Sequence, residues 1–416
     1  MVKTKILLCF SQVHVDFRKA EIDSICTLLN LKLDENLVIS QNIHYYVAEF
    51  DDIDVVLKIL QRSMLLKKAY EVIVTGPTHD DVCRYIAANQ DILERFNLPE
   101  SSWALKFQSF GKQRDGNYIS DMLKKLASVI ELEKAPICLK NPTNQLNIIE
   151  DNTNPSSPCV HFCLYANLAG CSTTSLVLDP FSGTGGLIIA AAHFGSYTIG
   201  TEINYQVARA IGKSARTTET RLSESQSVLA NFCQYNLENK YLGTLIADSS
   251  RHELWRIAEN SVGLFDAIVA DPPYGVREKG RKLGNKTTTG QIEFDIRNDN
   301  KIYTAEGGLR YPEKAKYGAS LYLDLLELSF KLLRSGGRSA FWFPVIRSEY
   351  SDDVLPRHDG MRLLHNCEQI LTRDSSRRLL VYEKVDPSNS SRDLKAYFRK
   401  NCYETKTFRD KVFKDV

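Results

Sequence analysis

Five residues, Asp271-Pro272-Pro273-Tyr274-Gly275, carry the most specific chemistry in this sequence. Each proline fixes φ near about −65° and has no N–H to donate, so the pair makes a rigid turn. The residue ahead of a proline is driven to an extended conformation, which aims the Asp271 carboxylate and the neighbouring carbonyls outward. That arrangement suits an amine attached to a planar ring. The Asp271 carboxylate and the Pro272 carbonyl can both accept from one –NH2 group, raising lone-pair character on its nitrogen. Tyr274 can stack on the ring and hold it out from its neighbours. Pro273 and Gly275 fall against the same substrate. The bland alternative is an ordinary Pro-Pro turn.

Three further segments supply an electrophile for such a nitrogen. Asp179-Pro180-Phe181-Ser182-Gly183-Thr184-Gly185-Gly186 follows an apolar run and opens a helix-like one. Gly183 and Gly185 let the backbone approach a ligand with no Cβ in the way. A dinucleotide fingerprint wants glycine where Ile188 stands. Asp179 fits a pyrophosphate poorly and an ammonium group well, such as the amino-acid end of S-adenosylmethionine, and Phe181 sits within the same turn. Glu202, at the end of the next apolar run, can accept from both ribose hydroxyls of an adenosine. Asp248, after a third run, can accept from the exocyclic amine of adenine or serve as a helix N-cap.

These motifs need a scaffold that brings them together. Leu176–Leu178, Ser196–Gly200, Thr244–Ala247, Ala267–Ala270 and Ser339–Phe343 read as strands, and Gly185–Phe194 and Leu321–Leu333 as helices. Strands alternating with helices predict a mostly parallel sheet with right-handed crossovers. Ligands of open α/β sheets bind outside the carboxyl ends of the strands, where all four motifs fall. Earlier in the chain, Lys5–Cys9, Tyr45–Phe50, Glu71–Thr75 and Ala104–Phe110 read as strands. Phe17–Leu29, Ile53–Ser63 and Asp121–Leu132 read as helices, so this part is an α+β module. A polar stretch rich in Asn, Ser and Pro predicts a boundary over residues 150–175. The division that follows is 1–150, a linker at 151–172, a second domain at 173–386 and a basic tail at 387–416.

With 416 residues, 43% hydrophobic and 25% charged, the composition is that of a folded globular chain and excludes a disordered or collagen-like one. No apolar run approaches a membrane span, so no membrane partner is expected. Ten cysteines at irregular spacings read as reduced thiols, which predicts a cytoplasmic setting, with the nucleus the other reducing option. Cys159, His161, Cys163 and Cys171 do not follow a usual structural zinc spacing, so no metal is expected. The net charge of +2 announces no nucleic-acid partner by itself. The first 150 residues hold 18 basic and 20 acidic side chains, so any basic face there must come from folding, with Lys106, Lys112, Arg114, Lys124 and Lys125 as candidates. Arg277, Lys279, Arg281, Lys282 and Lys286 follow the Pro-Pro motif, as a solvated loop or as phosphate contacts at the substrate entrance. Arg377 and Arg378 either contact RNA or cap local structure, and the second is the simpler reading.

Asp-Pro-Pro-Tyr after such a glycine turn resembles the class I amino-methyltransferases. Together with Thr201-Glu-Ile-Asn, Ala270-Asp-Pro-Pro-Tyr-Gly-Val-Arg-Glu, Ser335-Gly-Gly-Arg and Asp374-Ser-Ser-Arg-Arg-Leu-Leu, it is similar to the eukaryotic tRNA guanine-10 N2-methyltransferase catalytic subunit. Trp103-Ala-Leu-Lys-Phe-Gln-Ser-Phe-Gly and Lys140-Asn-Pro-Thr-Asn match that family's amino-terminal region more loosely. The resemblance implies a Rossmann-like domain with a mostly parallel seven-stranded sheet, preceded by a THUMP-type RNA-binding domain. It implies methyl transfer from S-adenosylmethionine to the 2-amino group of guanosine 10 in tRNA. Asp271, Pro272 and Tyr274 match the catalytic motif, and Asp179, Phe181, Gly183, Gly185, Glu202 and Asp248 the cofactor motifs. It also implies a small zinc-binding activator subunit, for which an edge strand at Thr244–Ala247 would be a docking place. One departure stands out: a longer segment that helps close the cofactor site in the family has no counterpart here. That leaves open an inactive tRNA-binding scaffold, as the motif itself leaves open an adenine N6 methyltransferase.

Overall fold

The computed structural model describes residues 3–31, 45–152, 159–165, 175–208, 227–255, 263–274, 281–283, 312–314, 320–385, 394–401 and 408–412. The chain divides into two units, Met1–Cys171 and Ser172–Val416.

Short runs rich in apolar residues in the first unit make strands β1 (Thr4–Phe10), β2 (Tyr45–Phe50), β3 (Leu66–Gly76), β4 (Trp103–Phe110), β5 (Asn144–Asp151) and β6 (Cys159–Tyr165). They form one sheet in the order β2-β1-β3-β6-β5-β4, with only β4 and β5 parallel. Helices α1 (Phe17–Leu28), α2 (Ile53–Arg62), α3 (His79–Ala88) and α4 (Gly116–Ala127) bury apolar stripes in two clusters. Ile22 and Ile59 pack with Ile6 and Leu8, while Ile86 and Leu126 pack with Leu146 and Ile148. Asp52, Thr78 and Asp115 each accept a backbone N–H and start α2, α3 and α4, a contribution of about 1 kcal/mol apiece.

Three expectations change here. The helix expected over Asp121–Leu132 begins at Gly116, because the Asp115 carboxylate caps the Tyr118 N–H at 2.9 Å. The stretch 151–172, read as a linker, contains β6, which lies between β3 and β5 inside the sheet. Of the five basic residues proposed as one face, Arg114 is bonded to Glu150 and Lys125 to Asp80, leaving Lys106, Lys112 and Lys124 exposed.

In the second unit, strands β7 (Leu176–Asp179), β8 (Tyr197–Glu202), β9 (Tyr241–Ile246) and β10 (Phe265–Ala270) alternate with helices α5 (Gly186–His193), α6 (Tyr205–Ala208) and α7 (Val228–Gln234). Strands β11 (Arg281–Leu283) and β12 (Pro312–Lys314) pair antiparallel as a separate two-stranded sheet. Helix α8 (Ser320–Leu332) leads into β13 (Leu333–Ile346), then β14 (Pro356–His358), β15 (Met361–Ile370), β16 (Ser375–Lys384), β17 (Ala396–Phe398) and helix α9 (Phe408–Val412). The main sheet has the order β17-β14-β15-β16-β13-β10-β7-β8-β9. From β9 to β13 it is parallel; from β13 to β17 it is antiparallel.

This is a Rossmann-like sheet of nine strands rather than seven, because the short β14 and β17 extend its antiparallel end. The core lies between the sheet and α8, where Leu326, Leu332, Phe341, Phe343 and Leu380 are fully buried. Residues 387–416, read as a tail, supply β17 and α9, and Phe408 is buried in that same core. Phe398 and Phe408 are the reason: they pack against that core, while Lys395, Arg399 and Lys400 stay exposed.

Candidate active site

Register brings the four motifs level. Leu178 on β7 pairs with Ile268 on β10 and Ile199 on β8, Asp179 pairs with Gly200, and Glu202 on β8 pairs with Ile246 on β9. Asp179, Glu202, Asp248 and Asp271 therefore stand at the carboxyl ends of four neighbouring parallel strands. No loop geometry is needed to gather them, because the ladder does it.

The glycine turn has the backbone its residues allow. Gly183 has φ of +51° and Gly185 of +89°, and a Cβ on Gly185 would stand 2.7 Å from the Val228 side chain. Asp179 is 1% exposed and its Oδ1 accepts the Phe181 N–H at 2.9 Å. Burial pushes the Asp179 carboxyl up to about 8; the Phe181 N–H works against this, while the nearby acids Glu202 and Asp271 add to it. Glu202 accepts the Gly183 N–H at 3.0 Å and the Asn204 N–H at 2.7 Å, which holds its carboxylate over the turn. Asp248 is buried, and its Oδ1 accepts the N–H and the hydroxyl of Ser250 at 3.0 and 2.8 Å, the local turn-forming role. The Thr201 hydroxyl donates to the Pro180 carbonyl at 2.9 Å, as does the Ser249 hydroxyl, bracing the turn against β8 and the loop after β9.

The donor set fits a cationic ligand. A buried carboxyl surrounded by further acids favours a positive group arriving from outside. S-adenosylmethionine carries two, an ammonium and a sulfonium. Asp179 and the glycine turn would hold its amino-acid end, and Glu202 its ribose.

On the other side of the crevice, Pro272 is buried and Asp271 keeps 44% of its side chain exposed. The Tyr274 hydroxyl donates to Asp271 Oδ1 at 2.5 Å. Burial first, then the Asp271 carboxylate, holds the Tyr274 phenol far above its ordinary range, so it stays a donor. The Tyr274 ring meets Phe408 edge-on at 6.3 Å. Arg377 of β16 reaches the same pair: its Nη1 is 3.4 Å from Asp271 Oδ2 and 3.3 Å from the Tyr274 hydroxyl. Sequence reasoning set Arg377 aside as a capping residue. Only its place in the Asp374-Ser-Ser-Arg-Arg-Leu-Leu motif hinted at more. Among the expected substrate contacts, Pro273 is partly buried beside Pro272. Arg281 and Lys282 lie on β11, in register with Lys314 and Glu313. Gly275, Arg277 and Lys279 lie outside the described residues.

Residues 4–160 match the family model "Tmrp11 THUMP N-terminal domain" and residues 163–288 match "RMKL-like, methyltransferase domain". The tRNA (guanine(10)-N(2))-methyltransferase TRMT11 of Gallus gallus is 28% identical over 461 residues, covering 99% of this chain and 95% of the relative. That alignment is longer than this chain's 416 residues, so the relative carries residues that this chain lacks. The tRNA (guanine(10)-N(2))-methyltransferase of Saccharomyces cerevisiae is 28% identical, covering 91% of this chain and 92% of the relative. Among solved structures, TrmN from Thermus thermophilus covers 92% of this chain and all of its own at 14% identity and a TM-score of 0.44. SMU.472 complexed with SAH covers 94% of this chain and 100% of that one at 10% identity and 0.42.

Proposed function

Because the chain is a near-full-length homologue of tRNA (guanine(10)-N(2))-methyltransferases and joins a THUMP N-terminal domain to a methyltransferase domain, we infer that it is an S-adenosylmethionine-dependent tRNA (guanine-N2)-methyltransferase. It methylates the exocyclic amine of guanosine 10. The observation that carries this reading is the placement of Asp271-Pro272-Pro273-Tyr274 one strand away from the Gly183–Gly185 turn. Bound S-adenosylmethionine supplies an electrophilic methyl carbon. The chain's own residues do the rest. Asp271 and the Pro272 carbonyl accept from the guanine –NH2 and direct its lone pair. Tyr274, tied to Asp271 through its hydroxyl, offers a ring face for the base. The Asp271 carboxylate stands next to the nitrogen and can take the proton that the methylated amine sheds. Much of the acceleration is positional, since amine and methyl meet already aligned.

The same reading assigns a partner to β9. Among the described residues this strand ends the sheet, and Leu242 and Leu245 on it are 56% and 46% exposed. An open edge with apolar side chains favours strand addition or a covering subunit, and the family resemblance makes that subunit a small zinc-binding activator in a heterodimer. Four cysteines of the described residues are buried as free thiols, which suits the cytoplasm.

The test is incubation of the full-length chain, with the activator subunit, with labelled S-adenosylmethionine and total tRNA, followed by location of the labelled nucleoside. Label as N2-methylguanosine at position 10 is the expected result. Label in adenine would make the chain an N6 methyltransferase, and absence of S-adenosylmethionine binding by calorimetry would make it a scaffold. Asp271→Ala is expected to lower turnover by at least about 1000-fold while leaving cofactor affinity within a few-fold. Undiminished turnover in that variant would overturn the assignment.

A further inference from the structure

Arg377 was expected to contact RNA or to cap local structure, yet the sheet delivers it to the reacting pair. In the β13–β16 register it stands opposite Pro344, and in the β15–β16 register opposite Gln369. The guanidinium carbon sits 3.9 Å from the centroid of the Trp342 ring, and Nε donates to Gln369 Oε1 at 2.7 Å. Its Nη1 reaches both Asp271 Oδ2 and the Tyr274 hydroxyl, at 3.4 and 3.3 Å. The side chain is thus stacked on one face and anchored on one edge before it meets the acid. A planar fork fixed in this way loses little freedom on making its last contacts.

Asp271 needs such a neighbour. It sits just past the end of β10, in a loop, and nearly half of its side chain faces solvent. A carboxylate left to wander there would hold the amine out of line, and a displacement of about 1 Å can cost about 100-fold in rate. We propose that Arg377 is a positioning residue for methyl transfer: it holds Asp271 and Tyr274 as one unit, and Trp342 and Gln369 hold it. This rests on the reading that Asp271 and Tyr274 receive the guanine. Two ordinary uses of an arginine fit less well. A phosphate contact would want the fork free, and this one is engaged on three sides. A purely local cap would not reach from β16 across β13 to the loop after β10.

The experiment compares Arg377→Ala, Arg377→Lys and Gln369→Ala with Asp271→Ala in the full-length chain with its activator. It measures kcat, KM for tRNA, cofactor affinity by calorimetry and thermal melting. Arg377→Ala is expected to lose about 100-fold in kcat with KM and cofactor affinity nearly unchanged, the mark of an interaction that counts at the transition state. Millimolar methylguanidinium should restore part of that loss in Arg377→Ala and nothing in Asp271→Ala. Arg377→Lys, which keeps charge but loses fork and stack, should fall between wild type and Arg377→Ala. The inference is overturned if Arg377→Ala keeps kcat within about threefold of wild type, or loses only KM for tRNA in a salt-dependent way. Should Arg377→Ala melt early, Gln369→Ala decides: a kcat loss at unchanged melting supports the inference, and unchanged kcat overturns it. An active Asp271→Ala would remove the underlying reading; an inactive Asp271→Ala beside an active Arg377→Ala would remove only this one.

Discussion

Glu150 in the first unit and Asp179 in the second are both buried acids near a strand end, and their surroundings treat them in opposite ways. Glu150, at the end of β5 in the first unit, is 4% exposed; Asp179, at the end of β7 in the second, is 1% exposed. Arg114 bonds Glu150 through both Nη2 and Nε, Tyr118 donates at 3.2 Å, Asn152 donates at 2.7 Å, and His79 Nε2 stands 3.8 Å away. Burial alone would push Glu150 up, but Arg114, Asn152 and His79 outweigh it and hold the carboxyl below its usual range. Asp179 has the Phe181 N–H and two acidic neighbours, and it is pushed up to about 8. One acid has its counter-charge built in and is part of the scaffold. The other has been left to find its counter-charge in a ligand. A buried carboxyl with no cationic partner among the described residues is thus a sharper pointer to a cation site than the glycine turn beside it.

The contrast predicts stability effects of opposite sign. Glu150→Ala leaves the Arg114 guanidinium without its partner, and removing one half of a buried pair costs about 3–5 kcal/mol. Urea unfolding should show that loss for the first unit, with cofactor affinity unchanged. Asp179→Asn should do the reverse. Asp179 has an ordinary unfolded value of about 3.9 and a folded value of about 8, so between those values the native state holds a proton that the unfolded state has shed. The ligand-free chain is therefore most stable on the acid side and loses stability as pH rises toward 8. Replacing Asp179 by the neutral amide removes that dependence. Melting of the ligand-free variant should therefore stay level as pH rises to 8, where the parent chain melts lower, while cofactor affinity falls by about 100-fold or more. A loss of stability in Asp179→Asn like that of Glu150→Ala would break the comparison.

The sequence made some of this plain and hid the rest for physical reasons. Strand-end motifs are local: Asp179 and Asp271 announce themselves through the glycines and prolines beside them, and the parallel ladder then does the gathering. Strand β6 was missed because Asn152, Asn154, Pro155 and Pro158 just ahead of it carry the marks of a linker, although β6 pairs antiparallel with β5 in the same sheet. Helix α4 started early because a cap, Asp115, outranks the apolar period that follows it. Arg377 could not have been found from its neighbours. It stands 106 residues from Asp271, and their meeting depends on β16 lying antiparallel next to β13, a pairing that no local pattern encodes. Long-range polar contacts of this kind belong to topology rather than to motif.

The smallest effect tests the Asp179 half of the comparison without any mutation. In the ligand-free chain, Asp179 keeps its proton at pH 7, because its folded value lies near 8. An incoming ammonium is held by the carboxylate, not by the neutral acid, so binding must expel that proton. Between pH 6 and 7, affinity for S-adenosylmethionine should rise with pH, at most tenfold per unit, or about 1.4 kcal/mol. Titration calorimetry in two buffers of different ionisation heat should count close to one proton released per ligand bound at pH 6.5. Glu150 and its ion pair offer no proton to exchange in this window, since a carboxyl held low is already ionised in both states. Zero proton release with tight binding would mean that Asp179 meets the ligand through something other than its charge. The second unit's acid would then be structural after all, like the first unit's.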